Sequence, residues 1–105
     1  MAHLVLTDDN FKEEVEDHSG VVLVDFWAAW CMPCQMLGPV IGEIAEEMNN
    51  AKIGKLNVDE NPKIAGEHQV MSIPTVKIFK DGEVVETLVG VQPKEAYIEA
   101  IKKHQ

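Results

Sequence analysis

The stretch Val21-Val22-Leu23-Val24-Asp25-Phe26-Trp27-Ala28-Ala29-Trp30-Cys31-Met32-Pro33-Cys34 decides how the chain folds. It opens on a continuous apolar run rich in β-branched residues, the pattern of a strand buried on both faces. One carboxylate, Asp25, interrupts the run. Two cysteines separated by two residues follow, and a helical pattern begins at once: Cys34, Leu37, Ile41, Ile44, Ala45 and Met48 share one stripe at helical spacing. The cysteines therefore sit where a buried strand turns into a helix. The first turn of a helix gathers unpaired backbone N–H groups and the positive end of the dipole, and both stabilise a thiolate. Cys31 is expected to be exposed, with a depressed pKa. Cys34, further into the helix, is expected to be enclosed and less acidic. Pro33 suits the first turn, where a missing N–H costs nothing and a fixed φ is already helical. An acidic thiol beside a shielded one is an arrangement for disulfide exchange.

The rest of the chain bounds that reading. Its 105 residues form one domain, 1–105, with 46% hydrophobic and 26% charged residues, as in an ordinary soluble globular protein. A net charge of −9 argues against nucleic-acid and anionic-membrane partners, which need a basic face. No apolar run approaches the ~18 residues of a membrane span. The N-terminal Met1-Ala2-His3-Leu4-Val5-Leu6-Thr7-Asp8 has no basic region followed by a long apolar one, so no signal peptide and a cytoplasmic location are expected. The two cysteines are too few for a structural disulfide framework. A structural zinc site needs four ligands. No second cysteine pair exists, and His3, His18, His68 and His104 are scattered, so no metal is expected. An inert bridge across so short a loop would constrain the unfolded chain little. No glycine-rich phosphate fingerprint is present, so no bound cofactor is expected.

Working outward, Leu4 to Leu6 reads as a first strand. Thr7 is a good N-cap for a helix with Asp8 and Asp9 in its first turn and Phe11, Val15 and His18 near one face. Ser19-Gly20 ends that helix. The helix after the cysteines runs toward Asn49-Asn50 and kinks at Pro39. Ile53 to Val58 is the next strand. Asn61-Pro62 caps and starts a short helix with Ile64 and Ala65 inward. Ser72-Ile73-Pro74-Thr75 is a turn into a strand from Thr75 to Lys80. Asp81-Gly82 is a two-residue hairpin signal, and Glu83 to Val91 is the returning strand. Gln92-Pro93 opens a last helix with Tyr97, Ile98 and Ile101 inward, while Lys102, Lys103 and His104 complement its C-terminal dipole. The order βαβαβα then ββα predicts parallel crossovers followed by an antiparallel hairpin, and so an α/β fold on a mixed sheet.

Trp30-Cys31-Met32-Pro33-Cys34 after Val24-Asp25-Phe26-Trp27-Ala28, with Ser72-Ile73-Pro74-Thr75 further on, resembles the thioredoxin family over essentially the whole chain. Met32 stands where that family commonly has glycine. The resemblance implies the thioredoxin fold, a central mixed five-stranded sheet flanked by four α-helices, with the second strand in the middle. It implies a protein-disulfide reductase active in cell redox homeostasis. Cys31 is the nucleophile, Cys34 the resolving thiol, and Asp25 the proton acceptor for Cys34. Trp30, Ile73, Pro74 and Gly90 surround the reactive sulfur and form an apolar patch for the substrate chain, with Pro74 cis and with Met32 and Pro33 beside it. Protein disulfides are the substrates of such a monomer. A thioredoxin reductase, which is an NADPH-linked flavoprotein, or another dithiol donor recharges it, so NADPH acts only indirectly and the redox-active Cys31–Cys34 disulfide is the working group.

Several residues carry a second reading. Asp25 is either a buried carboxylate with a raised pKa or a strand-end aspartate in contact with solvent, and the apolar run on both sides of it favours burial. Lys55 either pairs with Asp25 and moderates its pKa or is an exposed strand lysine. Ile73 and Val91 also read as ordinary core, and Trp27 as packing under the motif. Met32 either touches substrates or is a neutral replacement. An oxidant or isomerase is a competing enzyme class, but relatives of that kind often carry histidine where Pro33 stands. A binding module with incidental redox chemistry is a third class, and it would retain its activity as Cys31→Ser.

Overall fold

The apolar run forms strand β2 (Val21–Trp27), and a computed structural model, which describes residues 3–105, sets it in the middle of a five-stranded sheet. The other strands are β1 (Leu4–Leu6), β3 (Lys52–Asn57), β4 (Thr75–Lys80) and β5 (Glu83–Val89), in the order β1-β3-β2-β4-β5. Both β1 and β2 pair parallel to β3, whereas β4 pairs antiparallel to β2 and β5 antiparallel to β4. The sheet is mixed, as the βα order requires. Met1 and Ala2, part of the N-terminal reading above, lie outside the described residues.

Val21 to Phe26 are all buried because helices cover both faces of the sheet. Alternation along β2 sends Val21 and Leu23 to one core cluster and Val22, Val24 and Phe26 to the other. The first cluster lies under α1 (Met32–Glu47) and α3 (Lys94–His104). Leu37, Ile41 and Ile44 of α1 are fully buried there, each stabilising by about 1.5–3 kcal/mol. The second lies under α2 (Pro62–Glu67) and the first helical segment, where Phe11 and Val15 are fully buried.

Among the described residues four helical segments are present, but the first, Lys12–Glu16, is π-helical, because Asp17 N–H bonds Lys12 O at 2.8 Å rather than the backbone carbonyl oxygen of Glu13. It also starts later than expected: Phe11, without a side-chain cap, holds the N-cap position, and Asp8 and Asp9 lie in a preceding turn that Asn10 N–H closes on Thr7 Oγ1 at 3.2 Å and Thr7 N–H on Asn10 Oδ1 at 2.7 Å. His18 is only half-buried. Helix α1 continues through Pro39 and stops at Glu47, short of Asn49, since Met48 is already extended (φ −99°, ψ 93°) and hands the chain to β3. Asn61 holds the N-cap position of α2, yet its side chain does not cap the helix. The cap comes from Asp8, whose Oδ1 accepts Ile64 N–H at 2.9 Å and whose Oδ2 accepts Lys63 N–H at 3.3 Å. Asn61 Oδ1 in return accepts Asp8 N–H at 2.9 Å.

The Asp81-Gly82 hairpin forms as predicted, with both residues at positive φ (52° and 86°). A side chain at Gly82 would put its Cβ 2.2 Å from Glu16 O, so only glycine fits. At the other end of β5, buried Tyr97 accepts Gln92 N–H at 3.0 Å and donates to Gly90 O at 3.2 Å. Tyr97→Phe leaves both backbone groups unpaired. It is expected to cost ~1–3 kcal/mol in urea melts, and an unchanged midpoint would show the two bonds to be replaceable.

Candidate active site

Strand β2 and helix α1 meet at the two cysteines, which are joined as a disulfide with their Cα atoms 5.2 Å apart. Cys31 is the N-cap of α1 (φ −89°, ψ 109°), and its Sγ accepts the Cys34 N–H at 3.2 Å. Pro33 occupies the first turn. One orphan donor of the helix end thus points at the first sulfur, where it stabilises a thiolate once the bridge is reduced.

The expected contrast in exposure is corrected: Cys31 is 4% exposed and Cys34 3%. The loop before β4 covers the first sulfur, with Ile73 O 3.7 Å from Cys31 Sγ, and Ala28, Trp27, Val58 and Ile73 pack around the pair. What separates the two cysteines in this form is the helix-end hydrogen bond. In the reduced protein, iodoacetamide at neutral pH is expected to label Cys31 first, as read by peptide mass mapping. Faster labelling of Cys34 would reverse the roles.

Asp25 is fully buried, and neither oxygen of its carboxylate has a hydrogen-bond partner among the described residues. Burial pushes its pKa from 3.8 up to about 7, and the positive charge of Lys55 opposes that rise. The strand-end reading of Asp25 therefore fails. Asp25 and Lys55 face each other across the β2–β3 ladder and so lie on the same side of the sheet. Lys55 is neither ion-paired with Asp25 nor exposed. It is half-buried, and its Nζ sits 4.8 Å from the centre of the Trp27 ring. Lys55, Trp27, Gly38 and Cys34 border a cleft of about 550 Å³ between α1 and the β1–β3 edge of the sheet.

An exposed apolar rim surrounds the disulfide. Trp30 is 68% exposed and Met32 74%. Trp30 Nε1 donates to Asp59 Oδ2 at 2.7 Å, which fixes the ring beside the motif. Pro74 is buried and follows a cis peptide bond. Pro74 O accepts Gly90 N–H at 2.8 Å, and Gly90 takes a positive φ of 81° that glycine adopts freely. Ile73 is half-buried against Cys31 and Cys34, whereas Val91 is exposed, so the core reading of Val91 fails. Trp27, Trp30, Met32, Pro33, Ile73, Pro74 and Gly90 thus stand in the two segments that flank the sulfurs, or against those segments.

Asp59, Met36 and Met71 were not anticipated. Met36 had a readable signal, an apolar residue one turn after Met32 on the polar side of the helical pattern. Asp59 had none, because its partner is remote in sequence. Among the described residues, no three His, Cys, Asp or Glu side chains lie together in a way that could hold a metal ion. Among the described residues, too, no helix is long and apolar enough to cross a membrane.

A family model described as thioredoxin matches residues 2–103. A thioredoxin of Staphylococcus saprophyticus is 53% identical over 105 residues, covering 99% of each chain. A thioredoxin of Bacillus subtilis is likewise 53% identical over 105 residues, with the same coverage. A thioredoxin of Staphylococcus aureus is 52% identical over 105 residues and 99% of each chain.

Proposed function

Because the chain belongs to the thioredoxin family and is a protein-disulfide oxidoreductase working by dithiol–disulfide exchange, we propose that it runs as a reductase in which Cys31 attacks, Cys34 resolves and Asp25 takes the proton. The observation that carries this reading is a disulfide at the N-cap of α1 on the same strand–helix unit as a fully buried, unpartnered carboxylate.

Cys31 thiolate attacks one sulfur of a substrate disulfide. An S–S bond to the substrate forms, and the other substrate sulfur leaves as a thiolate. Cys34 then loses its proton toward Asp25 and attacks the Cys31 sulfur. The bond to the substrate breaks, the second substrate thiol departs, and the Cys31–Cys34 bridge closes. With a pKa of about 7, Asp25 accepts and returns a proton near neutral pH. Lys55, on the cleft that Cys34 borders, keeps that pKa from rising further. Trp30, Met32, Pro33, Ile73, Pro74 and Gly90 receive the substrate chain. Protein disulfides are the substrates, and a thioredoxin reductase drawing on NADPH, or another dithiol donor, recharges a cytoplasmic monomer that binds no cofactor itself.

Insulin reduction followed by turbidity, with a redox titration of the same protein, tests the proposal. The potential is expected on the reducing side, within ~60 mV of the roughly −270 mV held by thioredoxin itself, a value carried over from the family. A potential near about −120 mV would instead make the protein an oxidant.

A further inference from the structure

We infer that Met32, Met36 and Met71 form a sulfoxidation site, through which peroxide switches off exchange with protein disulfides once the Cys31–Cys34 bridge has closed. The inference rests on the proposed reductase reading, in which the rim around the disulfide docks the substrate. Three thioether sulfurs are carried by that rim, and none is shielded by the fold. Met32 directly follows Cys31 and is 74% exposed, Met36 one turn later is 69% exposed, and Met71 is 94% exposed. Met71 lies two residues before Ile73, whose carbonyl oxygen stands 3.7 Å from Cys31 Sγ. The three are thus carried by the two segments that flank the disulfide, the first turns of α1 and the loop before β4. Met48 differs, being half-buried against the core, and provides an internal reference.

The chemistry imposes an order. In the reduced protein the Cys31 thiolate is the strongest nucleophile present and meets the peroxide first. Its sulfur displaces water to give a sulfenic acid, and Cys34 displaces a second water to close the disulfide. In the disulfide form neither cysteine offers a thiolate. The exposed thioethers are then the sulfurs left to react. A methionine sulfur takes one oxygen from hydrogen peroxide, the O–O bond breaks, and the other oxygen leaves as water. The sulfur is oxidised by two electrons and the peroxide reduced by two. The product is a polar sulfoxide where an apolar, adaptable side chain stood. A protein substrate loses apolar contact with the rim, while a small disulfide that reaches only the sulfurs loses nothing. Sulfoxidation thus falls on the form that accumulates when reducing equivalents run short.

The test uses the full chain in its disulfide form. It is treated with hydrogen peroxide, quenched with catalase, mapped by peptide mass spectrometry, and assayed on insulin and on a small aromatic disulfide. Met32, Met36 and Met71 are expected to convert at least ~tenfold faster than Met48, following exposure. The insulin rate is expected to fall about fivefold, equivalent to roughly 1 kcal/mol of lost docking, with the small-disulfide rate unchanged. In a Met32→Leu/Met36→Leu/Met71→Leu variant, the ratio of treated to untreated insulin rates should return to one. Equal conversion of Met48, an undiminished insulin rate in fully sulfoxidised protein, or an equal loss on both substrates would overturn the inference. An untreated protein inactive on both substrates overturns the reductase reading itself, and this inference with it.

Discussion

Cys34→Ser is expected to leave the protein covalently joined to its first substrate. Cys31 retains its place at the N-cap of α1 and the Cys34 backbone N–H that it accepts, since that donor survives the side-chain change. Attack on the substrate disulfide therefore proceeds. The second step has no thiol left to perform it, so the mixed disulfide accumulates to one equivalent. In a single turnover of pre-reduced protein, release of the reduced substrate slows by at least ~10³-fold, because a covalent mechanism fails as a unit when one participant is lost. The adduct should appear on non-reducing gels and vanish with dithiothreitol. Cys31→Ser should lose the same activity and trap nothing. Release of fully reduced substrate from pre-reduced Cys34→Ser as fast as from the parent, without added thiol, would remove Cys34 from the mechanism.

The second large effect belongs to Asp25. Its folded pKa of about 7 exceeds the ordinary 3.8, the cause being burial, moderated by Lys55. Below pH 3.8 the carboxyl is protonated whether the chain is folded or unfolded, and ionisation costs nothing. Between that value and about 7 the unfolded chain releases the proton first, so stability declines across the window and levels off above it. The full cost at pH 8 is on the order of 4 kcal/mol. Asp25→Asn carries no such cost. It is expected to be more stable than the parent by about 2–4 kcal/mol at pH 8, the amide recovering most of the ionisation cost, and nearly level between pH 4 and 7. Insulin turnover should fall at the same time by ~10²-fold, the low end of what a positioned proton acceptor contributes, with mixed disulfide lingering. Denaturant melts across pH and single-turnover assays measure both. Lower stability at pH 8 with undiminished turnover would make Asp25 a structural residue.

The strand–helix unit was legible because its signals are local. An apolar β-branched run, a stripe at helical spacing and Asp81-Gly82 each specify backbone over a few residues, and the structure follows them in β2, α1 and the β4–β5 turn. The burial of Asp25 was legible for the same reason. What escaped the sequence is set by contacts between remote segments. Cys31 reads as exposed from its place in the chain, yet the Ile73 loop covers it. Lys55 settles over Trp27, a choice between neighbours that only the packed sheet presents. Asn61 looks like the cap of α2, but Asp8 performs that task from the far end of the chain.

That exchange of hydrogen bonds between Asp8 and α2 ties two segments into one cooperative opening unit. Strand β1 is a three-residue edge strand with a single neighbour, β3, and closing the loop between them spans half the chain. Fraying of β1 carries Asp8 away, and the Lys63 and Ile64 amides lose their acceptor in the same event. In native-state hydrogen–deuterium exchange, the amides of β1 and of the first turn of α2 should therefore share one free energy of opening, well below that of β2, which is paired on both sides. Asp8→Ala would uncouple them, leaving α2 to exchange on its own.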